Sequence, residues 1–392
     1  MKYDFDTPVD RRGTNSIKWD VAPGELPMWV ADMDFRTAPE IIEAIKTRTE
    51  HGIFGYNTVP DEWYDAYCDW WGTRHGLYVS RDWLIFCTGV IPAISTAVRK
   101  LTTPAEKVLL ETPVYNTFFN SIENNGRYPV ECPLIYENGE YRRDFDALES
   151  ALSDPQVSLM ILCNPHNPVG KIWSRSELSR VGELCRKHHV TVISDEIHCD
   201  LTDPDCDYVP FASVSETCRD ISVTCVAPTK TFNMAGMQTA AVIVPNEVLR
   251  HKMWRGLNTD EVAEPNAFAV PAAVAAFTRG GEWLDELRAY IYENKRTVAD
   301  FLRRELTEII LTPSQATYLL WLNIGTLSHD SVEFARFIRE RTGLFISNGA
   351  QYRGHGADFL RLNVACPKET LLDGLSRLRS AVCAWKAEAD KT

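Results

Sequence analysis

Lys230 occupies an unusual place for a lysine and is the first candidate for chemistry. It lies in the segment VAPTKTFNMAGMQTA (residues 226–240), between two threonines, after an apolar run and before a helix-like segment. Most lysines lie on solvated faces, with the stem on apolar surface and the charge in water. A lysine amine can also form a Schiff base with an aldehyde. Residue type alone favours the structural role, so the neighbouring motifs must decide.

Two polar motifs follow apolar segments in the first third of the chain. In CTGVIPAI (residues 87–94), the glycine allows a tight turn, and the backbone N–H groups of Val90 and Ile91 with the helix dipole can bind a phosphate. Taken alone, this motif favours an ordinary strand-to-helix turn. In ETPVYNTF (residues 111–118), the ring of Tyr115 can stack on a flat heteroaromatic ligand or anchor the core.

Two further motifs follow apolar segments in the middle of the chain. LCNPHNPVGK (residues 162–171) has two Asn-Pro pairs, which fix a stiff turn, and an asparagine amide there can hydrogen-bond a ligand oxygen. In VISDEIHCDL (residues 192–201), Asp195 and Glu196 end an apolar segment. A carboxylate in a dry region needs a cationic partner, and a protonated pyridine nitrogen would be one. A helix-capping role for Asp195 is an equal alternative.

The four motifs together require a ligand with a phosphate, an aromatic ring, a phenolic oxygen and a ring nitrogen. Pyridoxal phosphate (PLP) has all four, and its aldehyde can form a Schiff base with the amine of Lys230. The sequence has no G-x-G-x-x-G and no GK[ST] motif, so a dinucleotide or a nucleoside triphosphate is disfavoured. The sequence therefore predicts PLP as the cofactor, held by Lys230.

The elements that must position these motifs form an alternating pattern. Short apolar segments predict strands at residues 83–87, 107–111, 157–163, 190–195, 221–227 and 239–245. Helix-like segments between most of them indicate a largely parallel sheet covered on both faces, and such sheets bind ligands at the carboxyl ends of their strands. From about residue 285 the pattern changes to a smaller α+β unit, with which the irregular, Pro-rich first 45 residues are expected to pack. We expect a large domain of residues 46–285 and a small domain of residues 1–45 and 286–392.

Composition excludes several classes of protein. The chain has 392 residues, 45% hydrophobic and 24% charged, which is typical of a folded globular protein. Its net charge of −13, without a cluster of basic residues, argues against nucleic-acid binding. Its 11 cysteines form no CxxC pair and resemble the reduced thiols of a cytoplasmic protein, and we expect no metal site. The charged N-terminal segment and the lack of a long apolar run predict no signal peptide and no membrane span.

Seven motifs in order resemble the fold-type I PLP enzymes of the class I/II aminotransferase superfamily. They are LPMWVADMDF (residues 26–35), GVIPAI, TPVY, NPHNPVGK, SDEIH, TKTFNMAG and FLRLNVACP (residues 359–367). More narrowly, the chain resembles the bacterial cystathionine β-lyase or C–S lyase branch, the MalY/PatB-type proteins. The resemblance extends over nearly the full length. It implies the α/β fold of these enzymes, with a mostly parallel central sheet flanked by helices and a smaller α+β domain.

The resemblance also implies a cofactor site. Lys230 would carry the PLP, Asp195 would pair with the pyridine nitrogen, and Asn167 would meet the phenolic oxygen. Tyr115 would stack on the ring. The full set of implied cofactor-binding residues is Val90, Ile91, Tyr115, Asn167, Asp195, His198, Thr229, Lys230 and Gln238.

A substrate site and a partner subunit follow from the same resemblance. Arg361 would hold the substrate carboxylate through a bidentate pair, for which its planar fork is suited, with contacts from Asn167 and the backbone of Ala31. Tyr56 matches the tyrosine that such enzymes lend to the partner's site, which implies a homodimer. The implied catalytic residues are Lys230, Tyr56 and Tyr115.

Three positions depart from the aminotransferase pattern. His198 stands where those enzymes usually have a tyrosine, and Gln238 stands where they have a phosphate-binding arginine. Ala227 replaces a serine that often touches the phosphate. Phosphate binding would then depend on Thr229, Gln238 and backbone N–H groups. The departures at His198 and Gln238 resemble the lyase branch and favour elimination over transamination.

The resulting hypothesis is β-elimination from an L-cysteine thioether such as cystathionine, giving a thiol, pyruvate and ammonia. Lys230 would remove the Cα proton as general base, and Asp195 would keep the ring nitrogen protonated. An aminotransferase is the alternative, and pyruvate formation without an added keto acid distinguishes the two. A third hypothesis is a regulatory protein that retains the cofactor. Cystathionine, cystine and other cysteine conjugates are all open as substrates, in a pocket that Tyr318 and Tyr352 are expected to help shape.

Overall fold

The computed structural model describes residues 2–389 of the chain. In this range the strands are β1 (Leu26–Pro27), β2 (Leu84–Cys87), β3 (Lys107–Thr112), β4 (Tyr128–Pro133), β5 (Ile135–Glu137), β6 (Glu140–Arg142), β7 (Val157–Cys163), β8 (Thr191–Asp195), β9 (Ser222–Val226), β10 (Ala240–Ile243), β11 (Ile310–Leu311), β12 (Leu319–Asn323), β13 (Leu344–Phe345), β14 (Ser347–Asn348) and β15 (Phe359–Asn363). All six strands predicted from the sequence are found, with ends that differ by at most two residues.

Helices connect most of these strands. They are α1 (Pro39–Glu50), α2 (Asp61–His75), α3 (Val90–Leu101), α4 (Thr117–Glu123), α5 (Phe145–Leu152), α6 (Arg175–Lys187), α7 (Phe211–Val214), α8 (Glu216–Asp220), α9 (Pro228–Thr231), α10 (Glu247–Thr259), α11 (Ala269–Arg279), α12 (Gly281–Glu305), α13 (Ser331–Thr342) and α14 (Lys368–Ala389). Among the described residues, none of these helices combines the length and the apolar character needed to cross a membrane.

The main sheet has seven strands in the order β2-β10-β9-β8-β7-β3-β4. Strand β10 runs antiparallel to both of its neighbours, and the other pairs are parallel. Along β7, Leu159 and Ile161 belong to the apolar cluster that includes α3 and α10, whereas Met160 and Leu162 belong to the cluster that includes α5 and α6. This alternation buries both faces of the sheet under helices, so the predicted, mostly parallel architecture is observed.

The sequence did not predict several elements. Strand β4 is half polar and contains two prolines, which the edge position of the strand tolerates because one side of it needs no ladder partner. The hairpin of β5 and β6 has three residues in each strand, too short for a periodic signal. The prediction that the first 45 residues are irregular is wrong in part, because β1 and the start of α1 lie there. Helix α1 begins at Pro39, where a proline at the first position favours a helix rather than ending it.

The second sheet lies in the C-terminal part of the chain. It has four strands in the order β11-β12-β15-β14, all paired antiparallel. The N-terminal segment joins this region, because β1 pairs with β13 and the Met28 N–H donates to the carbonyl of Phe345. The predicted domain boundaries, between residues 45 and 46 and between residues 285 and 286, stay predictions.

A buried ion pair holds the loop after β7 against the sheet. Arg143 donates to both oxygens of Glu111 on β3, at 2.8 and 3.0 Å, and its guanidinium lies 3.7 Å from the ring centroid of Trp173. The Trp173 indole N–H donates in turn to the carbonyl of Cys163, the last residue of β7. The two Asn-Pro pairs lie between these anchors, so the pair fixes one wall of the region where the strands end.

This ion pair gives a stability prediction. Glu111→Gln leaves the Arg143 charge buried without a carboxylate, so we expect it to lower the free energy of unfolding by about 3–5 kcal/mol. The matched control is Glu137→Gln, because Glu137 pairs with the neighbouring Arg142 while both side chains are exposed. Urea unfolding followed by tryptophan fluorescence measures both variants. Equal stability of the two variants would contradict the prediction.

Candidate active site

The candidate residues meet where β7, β8 and β9 end side by side. Parallel pairing places Cys163 of β7 opposite Asp195 of β8, and Asp195 opposite Cys225 of β9. Lys230 follows β9 in the short helix α9, whose first residue is Pro228. Since parallel strands end at the same edge of a sheet, the loop after β7, the Asp195 carboxylate and the Lys230 amine come together as the sequence predicts.

The Lys230 side chain is partly buried. It donates a short hydrogen bond to the backbone carbonyl of Ala31. Burial disfavours the charged form and lowers the pKa of Lys230 to about 8, while the carboxylates of Asp32 and Asp195 act in the opposite direction. An ordinary lysine is almost fully protonated at neutral pH, so this amine is unusually well prepared to act as a nucleophile or a base.

Asp195 is a buried carboxylate with little compensation. It accepts a hydrogen bond from the Ile197 N–H at 3.1 Å. The pKa of Asp195 is raised to about 7, mainly by burial and in part by the neighbouring charge of Glu196, whereas the Ile197 N–H and Lys230 oppose the shift. A ligand group that carries a positively charged N–H would stabilise the ionised carboxylate, because a buried anion needs a hydrogen-bonded cation.

His198 lies in the same buried region. Burial and the nearby charges of Lys230 and Arg361 lower its pKa to about 3, so the imidazole is neutral at neutral pH. Its ring packs edge-on against Tyr318, with 6.2 Å between the centroids. Among the described residues, its Nδ1 atom has no hydrogen-bond partner. The neutral ring thus brings one free polar atom and no charge.

Arg361 supplies a buried positive charge. From β15 it donates to the Asn167 side-chain oxygen at 3.2 Å and to the Trp29 carbonyl at 3.0 Å, and its guanidinium lies 4.8 Å from the Tyr352 ring centroid. Within residues 2–389 no hydrogen-bond partner is found for its Nε atom, and its partners are all uncharged. The structure therefore joins Arg361 to Asn167 and leaves part of a guanidinium fork for an anionic ligand.

The predicted phosphate-binding residues lie at the start of α3 and after β9. Val90 and Ile91 are the first two residues of α3, whose first-turn N–H groups have no partner within the helix. Strand β2 ends at Cys87 opposite Ala240, and Ala241 lies opposite Val226 at the end of β9, so the positive end of α3 lies at the same edge of the sheet. Thr229 is buried beside Lys230. Gln238 has a positive φ of 51° and lines a surface cavity.

Tyr115 and Tyr56 have different surroundings. Tyr115 is half-buried after β3, and its ring packs edge-on against Phe118, with 5.6 Å between the centroids. Tyr56 is fully exposed, at 102% of the reference area, and shares a cavity of about 620 Å³ with Gln238 and Phe268. Within one chain, Tyr56 therefore lies outside the buried cluster around Lys230.

The sequence did not reveal one network beside Lys230. The carboxylate of Asp200 accepts hydrogen bonds from Thr231 at 2.8 Å, from His75 at 2.8 Å and from the Trp70 indole at 2.9 Å. In the described part of the chain, His75 and Asp200 also form a possible metal-ligand group with Cys199, but three donors already occupy the Asp200 oxygens. The partners of Asp200 are remote in sequence, so the sequence could not predict this network. The only local indication was the position of Asp200 shortly after the SDEIH motif.

The donor set fits the PLP that the sequence predicts. It combines an amine of lowered pKa, a buried carboxylate without a strong cationic partner, and unpaired polar atoms on His198 and Arg361. A ring nitrogen suits Asp195, a phosphate suits the start of α3, and an aldehyde suits Lys230. The residues present are thus complementary in charge and hydrogen bonding to this cofactor.

Comparisons with known proteins cover nearly the whole chain. A family model described as aminotransferase class I and II matches residues 26–378. The chain is 44% identical to cystathionine beta-lyase PatB of Bacillus subtilis (strain 168), covering 96% of this chain and 99% of PatB, and 33% identical to protein MalY of Escherichia coli (strain K12), covering 97% and 99%. The crystal structure of cystalysin from Treponema denticola, which contains a pyridoxal 5'-phosphate cofactor, is 32% identical, with a TM-score of 0.95, covering 98% of this chain and 100% of cystalysin.

These relations confirm the family and the fold class predicted from the sequence. The individual roles of the site residues stay predictions, because likeness over a whole chain does not test single side chains. The matches are nevertheless full-length on both sides, at identities above 30%. The chain belongs to the aminotransferase class I and II family, in the branch of PatB and MalY.

Proposed function

We propose that this protein is a PLP-dependent carbon–sulfur β-lyase that converts L-cystathionine or a related L-cysteine thioether, together with one water, to a thiol, pyruvate and ammonia. The observation that carries the proposal is one buried cluster in which the Lys230 amine lies near both Asp195 and Arg361. The name of the relative PatB, a cystathionine beta-lyase, supports the same reaction. The departures at His198 and Gln238 favour it over transamination.

Three side chains and the backbone at the start of α3 hold the cofactor in this proposal. PLP supplies, when bound, an aldehyde for covalent attachment of an amine and a ring that stabilises negative charge at the substrate Cα. Lys230 provides the amine, and Asp195 holds a proton on the ring nitrogen through a charge-assisted hydrogen bond. Asn167 donates to the phenolic oxygen with its side-chain amide, whose oxygen already accepts from Arg361 at 3.2 Å. The N–H groups at the start of α3 bind the phosphate.

Substrate orientation depends on Arg361. Its side chain is held from two sides, by Asn167 and by the Trp29 carbonyl, so the guanidinium is fixed before substrate arrives. The free Nε edge donates to the substrate carboxylate. This contact places the Cα–H bond toward the Lys230 amine, because both side chains border the same buried region.

Proton transfer is the task of Lys230. With a pKa lowered to about 8, its amine is a suitable base for the Cα proton near neutral pH. Once protonated, the same group can deliver a proton to the departing thiolate sulfur. The Tyr318 hydroxyl, which donates to the same Ala31 carbonyl at 3.0 Å, is the second proton donor within reach of this position. His198 adds no competing charge, since burial keeps it neutral.

The assembly and the location belong to the same proposal. The protein acts as a homodimer in which Tyr56 enters the partner's site; the complete exposure of this ring and its position beside Gln238 support that arrangement. The protein is cytoplasmic, which is supported by the cysteines of the described residues, all of which are free thiols.

A direct assay tests the activity against its alternatives. Purified protein with bound PLP is incubated with L-cystathionine in the absence of any keto acid, and pyruvate, thiol and ammonia are measured. Equal amounts of all three establish the lyase. Exchange of amino groups that requires an added keto acid would instead establish an aminotransferase, and full cofactor loading without either reaction would favour a regulatory role.

Replacing Lys230 separates covalent attachment from folding. We expect Lys230→Ala to lower pyruvate formation by roughly 10²–10⁴-fold, because the general base is lost, and to remove the visible absorption of lysine-bound cofactor. Lys187→Ala is the control, since Lys187 lies on an exposed face. Steady-state assays and absorption spectra measure both. Undiminished pyruvate formation by the Lys230 variant would exclude the proposed role.

Replacing Arg361 tests the carboxylate contact. Arg361→Lys keeps the charge but loses the planar fork, so we expect KM to rise roughly 10–100-fold, the worth of one or two charged hydrogen bonds, with a smaller change in kcat. Arg303→Lys is the control, because Arg303 is exposed on α12. The kinetics are measured with L-cystathionine at saturating PLP. An unchanged KM would mean that another residue binds the carboxylate.

A subunit-mixing experiment tests Tyr56. Lys230→Ala and Tyr56→Ala dimers are each expected to be impaired, whereas a mixed dimer has one site with Lys230 from one chain and Tyr56 from the other. Random mixing should then restore about one quarter of wild-type activity, because about half of the dimers are mixed and each has one intact site. Sedimentation confirms the dimer. No recovery on mixing would show that Tyr56 serves its own chain.

A further inference from the structure

Residues 29–35 form an irregular segment, here called the site strap. The strap has no helix or strand, yet most of its backbone carbonyls accept hydrogen bonds from side chains. The carbonyls that do so belong to Trp29, Val30, Ala31, Asp32, Met33 and Phe35. Buried backbone groups need partners, and without a ladder or a helix they must find side chains. The position of the strap is therefore determined by the residues that donate to it.

The strap touches the reaction centre at Ala31. The Ala31 carbonyl accepts from the Lys230 amine and also from the Tyr318 hydroxyl. Two residues earlier, the Trp29 carbonyl accepts a hydrogen bond from Arg361. A displacement of the strap would thus move the acceptor of the amine and one support of the guanidinium together.

A cluster of four charges holds the strap, and in it Lys18 and Asp34 are buried whereas Arg11 and Asp32 are partly exposed. Lys18 is 1% exposed, and its amine lies 2.7 Å from the Asp34 carboxylate and 3.3 Å from the Asp32 carbonyl. Arg11 binds both carboxylates, with 2.6 Å to Asp32 and 2.8 Å to Asp34. The Trp19 indole also donates to Asp34, at 2.8 Å. The two cations and two anions give the cluster a net charge of zero, and their ion pairs offset part of the free-energy cost of removing charges from water.

Two other side chains also donate hydrogen bonds to the strap. The Asn233 amide donates to the carbonyls of Met33 and Phe35, and the Met33 N–H donates back to Asn233. Asn363 donates to the carbonyls of Val30 and Asp32, both at 2.6 Å. The Asp32 carbonyl, immediately after Ala31, thus accepts from both Asn363 and Lys18.

We propose that Lys18 is a positioning residue for the lyase reaction, which holds the site strap so that the Ala31 carbonyl receives the Lys230 amine. The proposal rests on the proposed function. Lys18 touches no reacting atom and acts through Asp32 and Asp34. Its contacts lie beside Ala31 rather than beside Trp29, whose carbonyl has a second donor in Ser347. The expected defect therefore falls on proton transfer by Lys230 more than on carboxylate binding.

Lys18→Met tests this role, because methionine keeps much of the stem but removes the charge. We expect kcat to fall about tenfold while KM changes less than about threefold, since a misplaced base slows the chemical step. We also expect hydrogen exchange of the strap N–H groups, including that of Asp34, to become faster in protein without PLP, with exchange in β7 unchanged. In Lys18→Arg, which keeps the charge, we expect smaller changes in kcat and in hydrogen exchange of the strap than in Lys18→Met. Lys187→Met, on an exposed face, is the matched control.

Each outcome decides the proposal. Faster exchange of the strap with a normal kcat would overturn it, and so would unchanged exchange. Faster exchange throughout the chain with a lower melting temperature would assign Lys18 a structural role only, and this too would overturn it. If wild-type protein forms no pyruvate, the proposed lyase function fails. The positioning role of Lys18 is then decided by hydrogen exchange of the strap together with the rate at which added PLP reacts with Lys230. We expect this rate to fall about tenfold in Lys18→Met.

Discussion

Partial burial of one amine, that of Lys230, is the constraint on which the rest of this structure depends. An ammonium loses much hydration when it is buried, and this loss lowers the pKa of Lys230 to about 8. The Ala31 carbonyl and the carboxylates of Asp32 and Asp195 partly compensate. These groups come from the N-terminal segment, the end of β8 and the turn after β9. No local piece of the chain can assemble them, so the site requires both sheets and the N-terminal segment to be folded together.

The remaining charges are arranged so that protein groups do not neutralise one another completely. Asp195 and Arg361 have opposite signs, yet Arg361 is held by Asn167 and by the Trp29 carbonyl, and Asp195 accepts from the Ile197 N–H. Burying the Asp195 carboxylate and the Arg361 guanidinium without direct contact between them costs free energy. A ligand that brings the opposite charge to each group can recover this free energy. We infer that a cationic ring nitrogen and an anionic carboxylate stabilise the site on binding. Burial of the Asp195 carboxylate without a hydrogen-bonded cation also explains why its pKa is raised.

Much of this could be predicted from the sequence, and the exceptions have physical causes. The central strands are apolar on both faces and are followed by Gly, Pro and Asn residues, so their ends and the polar side chains after them were predictable. Strand β4 was missed because its edge position permits prolines. The roles of Lys18, Asp32 and Asp200 depend on contacts between residues far apart in the chain, for which a single sequence has no periodic signal. Tyr56 was identified through family resemblance, not through its local sequence.

Exposed apolar side chains surround Tyr56. Ile53, Phe54 and Tyr56 follow α1 closely and are all exposed by more than half of their area. Clustered exposed apolar side chains are uncommon on monomeric proteins, because water contact with them is unfavourable. The same segment borders the cavity that contains Gln238, on the side of the molecule where the phosphate is proposed to bind. A second copy that covered this surface would bury the apolar side chains and bring additional polar groups to the phosphate, so stability and cofactor binding would favour the same assembly.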